Sequence, residues 1–463
     1  MKASLAALAV VLIGTCSLST SPAAAAPARH APANPATPIQ HFVYMMQGDR
    51  SFDNYFGSYP GTDPAPADTC QKLVVTGPSK GCVKRFSLHG KAAQAPGAGT
   101  VEINNQYDGG RMDGFVAAYQ AEGRDGATTM GYYDRRDLAT YWGLADRYVL
   151  FDRFFSSTRE GERSNRSYWV AGSAPPLESP QALAAGYAKQ MTIFDRLQAS
   201  GVSWKFYVQG YDPKQNFHTV SKRNPSSQPL RVPLLNFPRF VDDPALSSHI
   251  VDLSQYYRDL DQGTLPAVAY VTSSGPSERS DHSIAGGQKL VTDLVGNLML
   301  SRYWNSAAFL LSYDGSGGWY DHVTPPQVDR NGYGLRVPAL LVSAYARKGY
   351  VDHTTMDYTS ALAFIEQNWG LAPLAARDKA ATSLVGAFDF SAAPRPAQVQ
   401  FGQSVPGKAP TTSVAIVYWC YGVALLGVIG SVVFAFLWSG RGRRDAHGQP
   451  GMVEHAAMVG ADS

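Results

Sequence analysis

The chain has 463 residues, enough to bury a large core, and its formal net charge of +3 is nearly balanced. No run of Lys and Arg is long enough to suggest nucleic acid, and net charge offers no means of steering a charged substrate.

At the N-terminus, Lys2 precedes an apolar run from Leu5 to Ile13, and Ala23–Ala26 offers small-residue cleavage sites. Residues 1–26 therefore read as a secretory signal. Cys16 is a poor fit to a lipobox because Thr15 precedes it. Residues 27–38 are a flexible Ala/Pro-rich lead-in.

A globular region is expected over residues 38–392. Short, nearly continuous apolar runs at His41–Gln47, Ser203–Val208, Ala267–Thr272, Ala307–Tyr313 and Pro338–Ser343 predict strands covered on both faces. Helical periodicity marks Ile284–Ser301 and Thr354–Trp369, where Ala361, Leu362, Ile365 and Trp369 form one stripe. Met191–Ser200 is a shorter helix ended by Gly201. This alternation predicts an α/β fold with a mostly parallel central sheet flanked by helices. In such sheets ligands sit beyond the carboxyl ends of the strands, where both Asp49 and Asp314 fall.

Residues 393–412 form a Pro/Ala-rich linker, and Val414–Trp438 runs 25 residues without a charge. At about 1.5 Å per residue that exceeds a hydrocarbon core of roughly 30 Å. Arg441, Arg443 and Arg444 follow and mark a cytoplasmic side. The expectation is one C-terminal transmembrane helix, a cytoplasmic tail over 439–463, and a cell-membrane protein with its large domain outside the cytoplasm. Of the cysteines, Cys70 and Cys82 could close a short loop in an oxidising compartment, worth on the order of 3 kcal/mol if bridged. Two free thiols are the alternative, and two cysteines alone do not make a zinc site.

Two stretches carry the chemistry. One is Gln47-Gly48-Asp49-Arg50-Ser51-Phe52-Asp53, and the other is Asp314-Gly315-Ser316-Gly317-Gly318-Trp319-Tyr320-Asp321-His322. Between and after them lie Gly110-Arg111-Met112-Asp113-Gly114-Phe115, Phe154-Phe155-Ser156-Ser157, Phe237-Pro238-Arg239-Phe240, Thr264-Leu265-Pro266-Ala267 and Arg336-Val337-Pro338-Ala339-Leu340. In order and spacing these motifs resemble the bacterial phospholipase C/acid phosphatase phosphoesterase family, of the alkaline-phosphatase superfamily. The resemblance spans nearly all of the globular region and implies an alkaline-phosphatase-like fold.

It also implies a divalent metal ion held by Asp49 and Asp314, with Glu162, Arg166, Asp321 and His322 as catalytic candidates. The sequence departs from the family pattern at the chemical positions. Gly48 and Asp49 stand where Glu-Asn binds the metal, and Asp314-Gly315 stands where Asp-Asp or Asp-Glu is usual. Counting back from Asn165-Arg166 puts Glu162 at the place of the Ser or Thr nucleophile. A histidine expected after Ser-Glu falls on Arg279, with His282 close by. Hard oxygen ligands suit such an ion, and Glu162 could join as a third carboxylate. Its place among Arg159, Arg163 and Arg166 equally fits a surface charge cluster, just as Asp314-Gly315 fits an ordinary turn. Asp321 and His322 could hold their turn by hydrogen bonds rather than carry protons.

Two functions follow from the resemblance. One is a membrane-anchored phosphoesterase of phospholipase C or phosphatase type, with reduced activity, acting on phosphate esters such as phospholipids. The other is an inactive relative that binds a ligand or a surface partner.

Overall fold

The computed structural model describes residues 34–399 except 74–80, 92, 176–185, 188, 222–225, 274–277 and 279–283. The signal segment, Cys16, Val414–Trp438 with its following arginines, Arg279 and His282 all lie outside the described residues. The chain forms two compact units, Met1–Val405 and Pro406–Ser463, and every described residue belongs to the first. Among the described residues no helix is long and apolar enough to cross a membrane. The expected localisation as a single-pass membrane protein is corrected on that finding.

The strands in chain order are β1 His41–Gln47, β2 Cys70–Lys72, β3 Cys82–Lys84, β4 Phe86–Ser87, β5 Gly131–Tyr132 and β6 Val149–Phe151. They continue with β7 Trp204–Gln209, β8 Ile250–Asp252, β9 Val268–Ser273, β10 Ala307–Tyr313, β11 Ala339–Ser343 and β12 Tyr350–Asp352. Eight form one sheet in the order β12-β6-β11-β10-β1-β9-β7-β8. Only β11 runs against its neighbours, pairing antiparallel with both β10 and β6; the other five pairings are parallel. β2 and β3 make a small hairpin tied by a disulfide between Cys70 and Cys82, with Cα atoms 5.5 Å apart.

Every residue of β9, β10 and β11 is buried, as is β1 after His41. That explains their unbroken apolar sequences, because both faces meet helices. Helix Tyr358–Trp369 buries its Ala361, Leu362, Ile365 and Trp369 stripe and starts at Asp357, whose side chain accepts from the Thr359 amide. Its start therefore lies four residues after the expected Thr354. Helix Ile193–Ala199 is opened by a capping box between Thr192 and Asp195, which trims the expected Met191 start. Helix Ile284–Leu300 ends within a residue of expectation. β6, β8 and β12, of three residues each, had no period to betray them.

This architecture sets the site. The register pairs Gln47 with Tyr313, so β1 and β10 end together and release their turns side by side. The Asp314 amide then donates to the Gln47 carbonyl at 3.0 Å, and the Arg50 amide donates to the Gly315 carbonyl at 3.0 Å.

Candidate functional site

Asp49 and Asp314, 265 positions apart in the numbering, line one cleft of about 210 Å³. Glu162, Asn165, Gly315 and Ser316 line it as well. Glu162 opens helix Glu162–Ala171, whose preceding Gly161 has φ +90°, and its side chain is 18% exposed. It is therefore a cleft residue and not part of a solvated surface cluster. Arg159 instead reaches away to the Tyr333 carbonyl at 2.9 Å.

Arg166, one helical turn after Glu162, is buried and joins the carboxylates. Its Nε donates to Glu162 Oε1 at 3.1 Å and to Asp314 Oδ2 at 2.9 Å, and Nη2 lies 2.6 Å from the same Asp314 oxygen. Nη1 donates to the Arg231 carbonyl at 2.7 Å and the Thr272 hydroxyl at 3.1 Å. The guanidinium fork is thus spent on groups of the chain. Asn165 accepts from the Thr158 amide at 3.0 Å, which fixes the turn before the helix.

Gly317 supports the arrangement on the other side. Its φ is +61°, and a Cβ there would lie 2.5 Å from the Cβ of Asp49, so only glycine lets the two turns approach.

Asp321 and His322 do not line this cleft. They gather with Asp53 in a second cluster whose ligand atoms lie within 4.8 Å of one another and could hold a metal ion. Arg336, fully buried, already sits among them: Nη2 donates to Asp53 Oδ1 at 2.9 Å and Nε to Asp321 Oδ1 at 2.9 Å. His322 Nδ1 is 2.7 Å from Asp53 Oδ2, and the His322 amide donates to that oxygen at 2.8 Å. Burial pushes the Asp321 carboxyl up to about 6, against the pull of Arg336. Burial opposes the charge of Asp53 too, but Arg336 and His322 outweigh it and hold that carboxyl below its usual range. Burial would lower His322, yet its bond to Asp53 wins and raises it. Asp53 and Arg336 belong to quoted motifs, but no local spacing revealed that Arg336 would unite them.

Sequence reasoning also passed over Glu278. It lies fully buried beneath the turn of Arg50, and burial raises its carboxyl despite Arg50 and three tyrosine hydroxyls that favour its charge. It entered the sequence reading only as the Glu of the Ser-Glu pair before Arg279, with no role assigned to it.

The model of the Phosphoesterase family matches residues 39–372. The chain belongs to the Phosphoesterase family. Phospholipase C A of Mycobacterium tuberculosis is 28% identical over 433 residues, covering 81% of this chain and 82% of that one. Non-hemolytic phospholipase C of Burkholderia pseudomallei is 27% identical over 404 residues, covering 71% of this chain and 55% of that one. Non-specific phospholipase C3 of Arabidopsis thaliana is 25% identical over 361 residues, covering 69% and 65% respectively.

Among solved structures, a protein in the alkaline phosphatase superfamily from Vibrio parahaemolyticus is similar at TM-score 0.36 and 12% identity, covering 75% of this chain and 72% of that one. A lipoteichoic acid synthase from Listeria monocytogenes is similar at TM-score 0.38 and 8% identity, covering 74% and 76%. Likenesses this low carry no argument. Family membership supports phosphate-ester hydrolysis, and members of this family are generally metal-dependent.

Proposed function

We propose that this chain is a phosphoesterase of phospholipase C type that hydrolyses phosphate esters slowly in the cleft of Asp49, Glu162 and Asp314. The observation that carries this reading is the convergence of three carboxylates from three distant segments on one cleft at the carboxyl end of the sheet. Among the described residues that line it, the cleft has three carboxylates and no Lys or Arg, and Arg166 is bonded to two of the three. Such a site repels a bare phosphate ester and attracts a cation.

The donor chemistry fits a hard divalent ion, since carboxylate oxygens are what such ions take. Asp49, Asp314 and Glu162 would hold it, with Arg166 orienting two of the three as outer-shell partners do. When bound, a divalent ion supplies polarisation of a phosphoryl oxygen and a more acidic water. The chain's own contribution is to fix the acceptor oxygens and to close the cleft floor with Gly315 and Gly317. Glu162 offers no hydroxyl to form a phospho-enzyme, and Gly48 and Gly315 add no ligand atoms. Both departures favour weak ion binding and slow turnover. Phosphate esters, phospholipids among them, are the substrate class, by analogy with the named relatives.

A second reading, a binding protein without turnover, is favoured by one contact. Arg166 already engages Asp314 Oδ2 through two nitrogens. Release of nitrophenol by the purified full chain from a chromogenic phosphodiester and a monoester, with Mn²⁺ and then with excess chelator, separates the readings. The enzyme predicts slow, chelator-sensitive release. No release with either ester under any metal condition, from folded protein, supports the binding protein instead.

A further inference from the structure

Asp49 is one of three described non-glycine residues with positive φ, at +69°. Side chains with a Cβ rarely adopt this left-handed conformation, although Asp tolerates it better than most. The next residue explains how it is held. Arg50 is fully buried, and its Nη1 donates to the Asp49 carbonyl at 3.1 Å while its own amide donates to the Gly315 carbonyl at 3.0 Å. Its Nε donates to the Tyr55 hydroxyl at 2.8 Å and Nη2 to the Glu278 backbone carbonyl at 3.4 Å. The guanidinium carbon lies 5.4 Å from the Tyr55 ring centre and 5.3 Å from that of Trp319.

Glu278 completes the lock. Its carboxylate stands 3.9 Å from Arg50 Nε and accepts from the hydroxyls of Tyr55 and Tyr141, and from Tyr313 at 3.1 Å. Gly287 makes room for it, since a Cβ there would fall 2.1 Å from the Glu278 side chain. Taking two charges out of water is costly unless every polar atom finds a partner. This group meets that cost without Arg50 or Glu278 lining the cleft. It meets the cleft through the backbone of Asp49, the turn of Gly315 and Tyr313, the residue before Asp314.

We propose that Arg50, locked by Glu278 and the three tyrosines, is a positioning residue that keeps Asp49 left-handed and thereby fixes its carboxylate in the cleft. The functional consequence rests on the reading of the cleft as an ion site; the positioning itself does not.

Hydrogen exchange on the full chain tests the positioning. In the unsubstituted protein the Arg50 amide should exchange as slowly as those of β1, because a buried strut holds its acceptor. In Glu278→Gln and Arg50→Lys, amides of residues 48–51 should exchange about tenfold faster or more, while β1 and β9 stay unchanged. Mn²⁺ affinity measured by calorimetry should fall about 10–100-fold in the same variants. Fast exchange at Arg50 in the unsubstituted chain overturns the proposal. So does an acceleration shared by the whole sheet, or none in either variant. If the unsubstituted chain binds no Mn²⁺ while the exchange pattern holds, the ion reading fails and the positioning device stands.

Discussion

Arg166 grips one oxygen of Asp314 with two nitrogens, Nε at 2.9 Å and Nη2 at 2.6 Å, and both side chains are almost wholly buried. A guanidinium and a carboxylate so placed depend on each other. Removing one partner leaves an uncompensated charge, which costs about 3–5 kcal/mol in buried pairs. Arg166→Gln should therefore lower stability by roughly that amount, read from urea unfolding. Millimolar Mn²⁺ should recover part of the loss, because the variant cleft keeps its three carboxylates and loses the guanidinium bonded to two of them. Equal unfolding curves for variant and parent would remove Arg166 from this role.

Glu366 gives a pH prediction. It is 4% exposed, and burial, then the neighbouring Asp378 carboxylate, push its carboxyl from 4.5 up to about 9. A folded value above the unfolded one means the group's stabilising share is whole below about 4.5 and is lost as pH rises to about 9. Glu366→Gln, which cannot ionise, should melt higher than the parent at pH 9, with the gap closing towards pH 5. Thermal scans across that range decide it, and a gap that widens on acidification contradicts the assignment.

The Cys70–Cys82 bridge closes a loop with a sequence separation of 12. Cross-links of this span stabilise by on the order of 3 kcal/mol by limiting the unfolded chain. Reduction with dithiothreitol, or Cys70→Ser with Cys82→Ser, should lower the melting temperature by several degrees. An unchanged transition would show that the β2–β3 hairpin unfolds apart from the core.

Restoring the family's chemical residues should raise turnover. At Gly315 the nearest atom to an added Cβ, chain neighbours aside, is Asn165 Nδ2 at 3.9 Å, so a Cβ there meets no close contact. Asp49 already has a conformation that Asn also tolerates. The combined Gly48→Glu, Asp49→Asn, Glu162→Thr and Gly315→Asp variant should hydrolyse a chromogenic phosphodiester at least tenfold faster than the parent. A folded variant with no gain would favour the binding protein.

How much of this was readable beforehand depended on distance along the chain. β1 and β10 came out of the sequence at their true ends because each is a seven-residue apolar run covered on both faces. The Asp49 and Asp314 pairing followed from two strand ends in one sheet. Helix starts shifted wherever a cap, as at Asp357 or Thr192, fixed them more sharply than hydrophobic period does. The joining of Asp53 to Asp321, His322 and Arg336, and the lock of Arg50 by Glu278, arise from contacts between segments hundreds of residues apart. No local pattern encodes such contacts, so Asp321 and His322 were read as catalytic candidates without their Arg336 partner and Glu278 was given no role.

The most direct test of the central claim is calorimetric titration of the metal-free full chain with Mn²⁺, beside Asp49→Ala and Asp53→Asn. One weak, chelator-reversible site is expected that disappears in Asp49→Ala and persists in Asp53→Asn. Binding that survives Asp49→Ala and vanishes in Asp53→Asn would place the ion in the Arg336 cluster and contradict that claim.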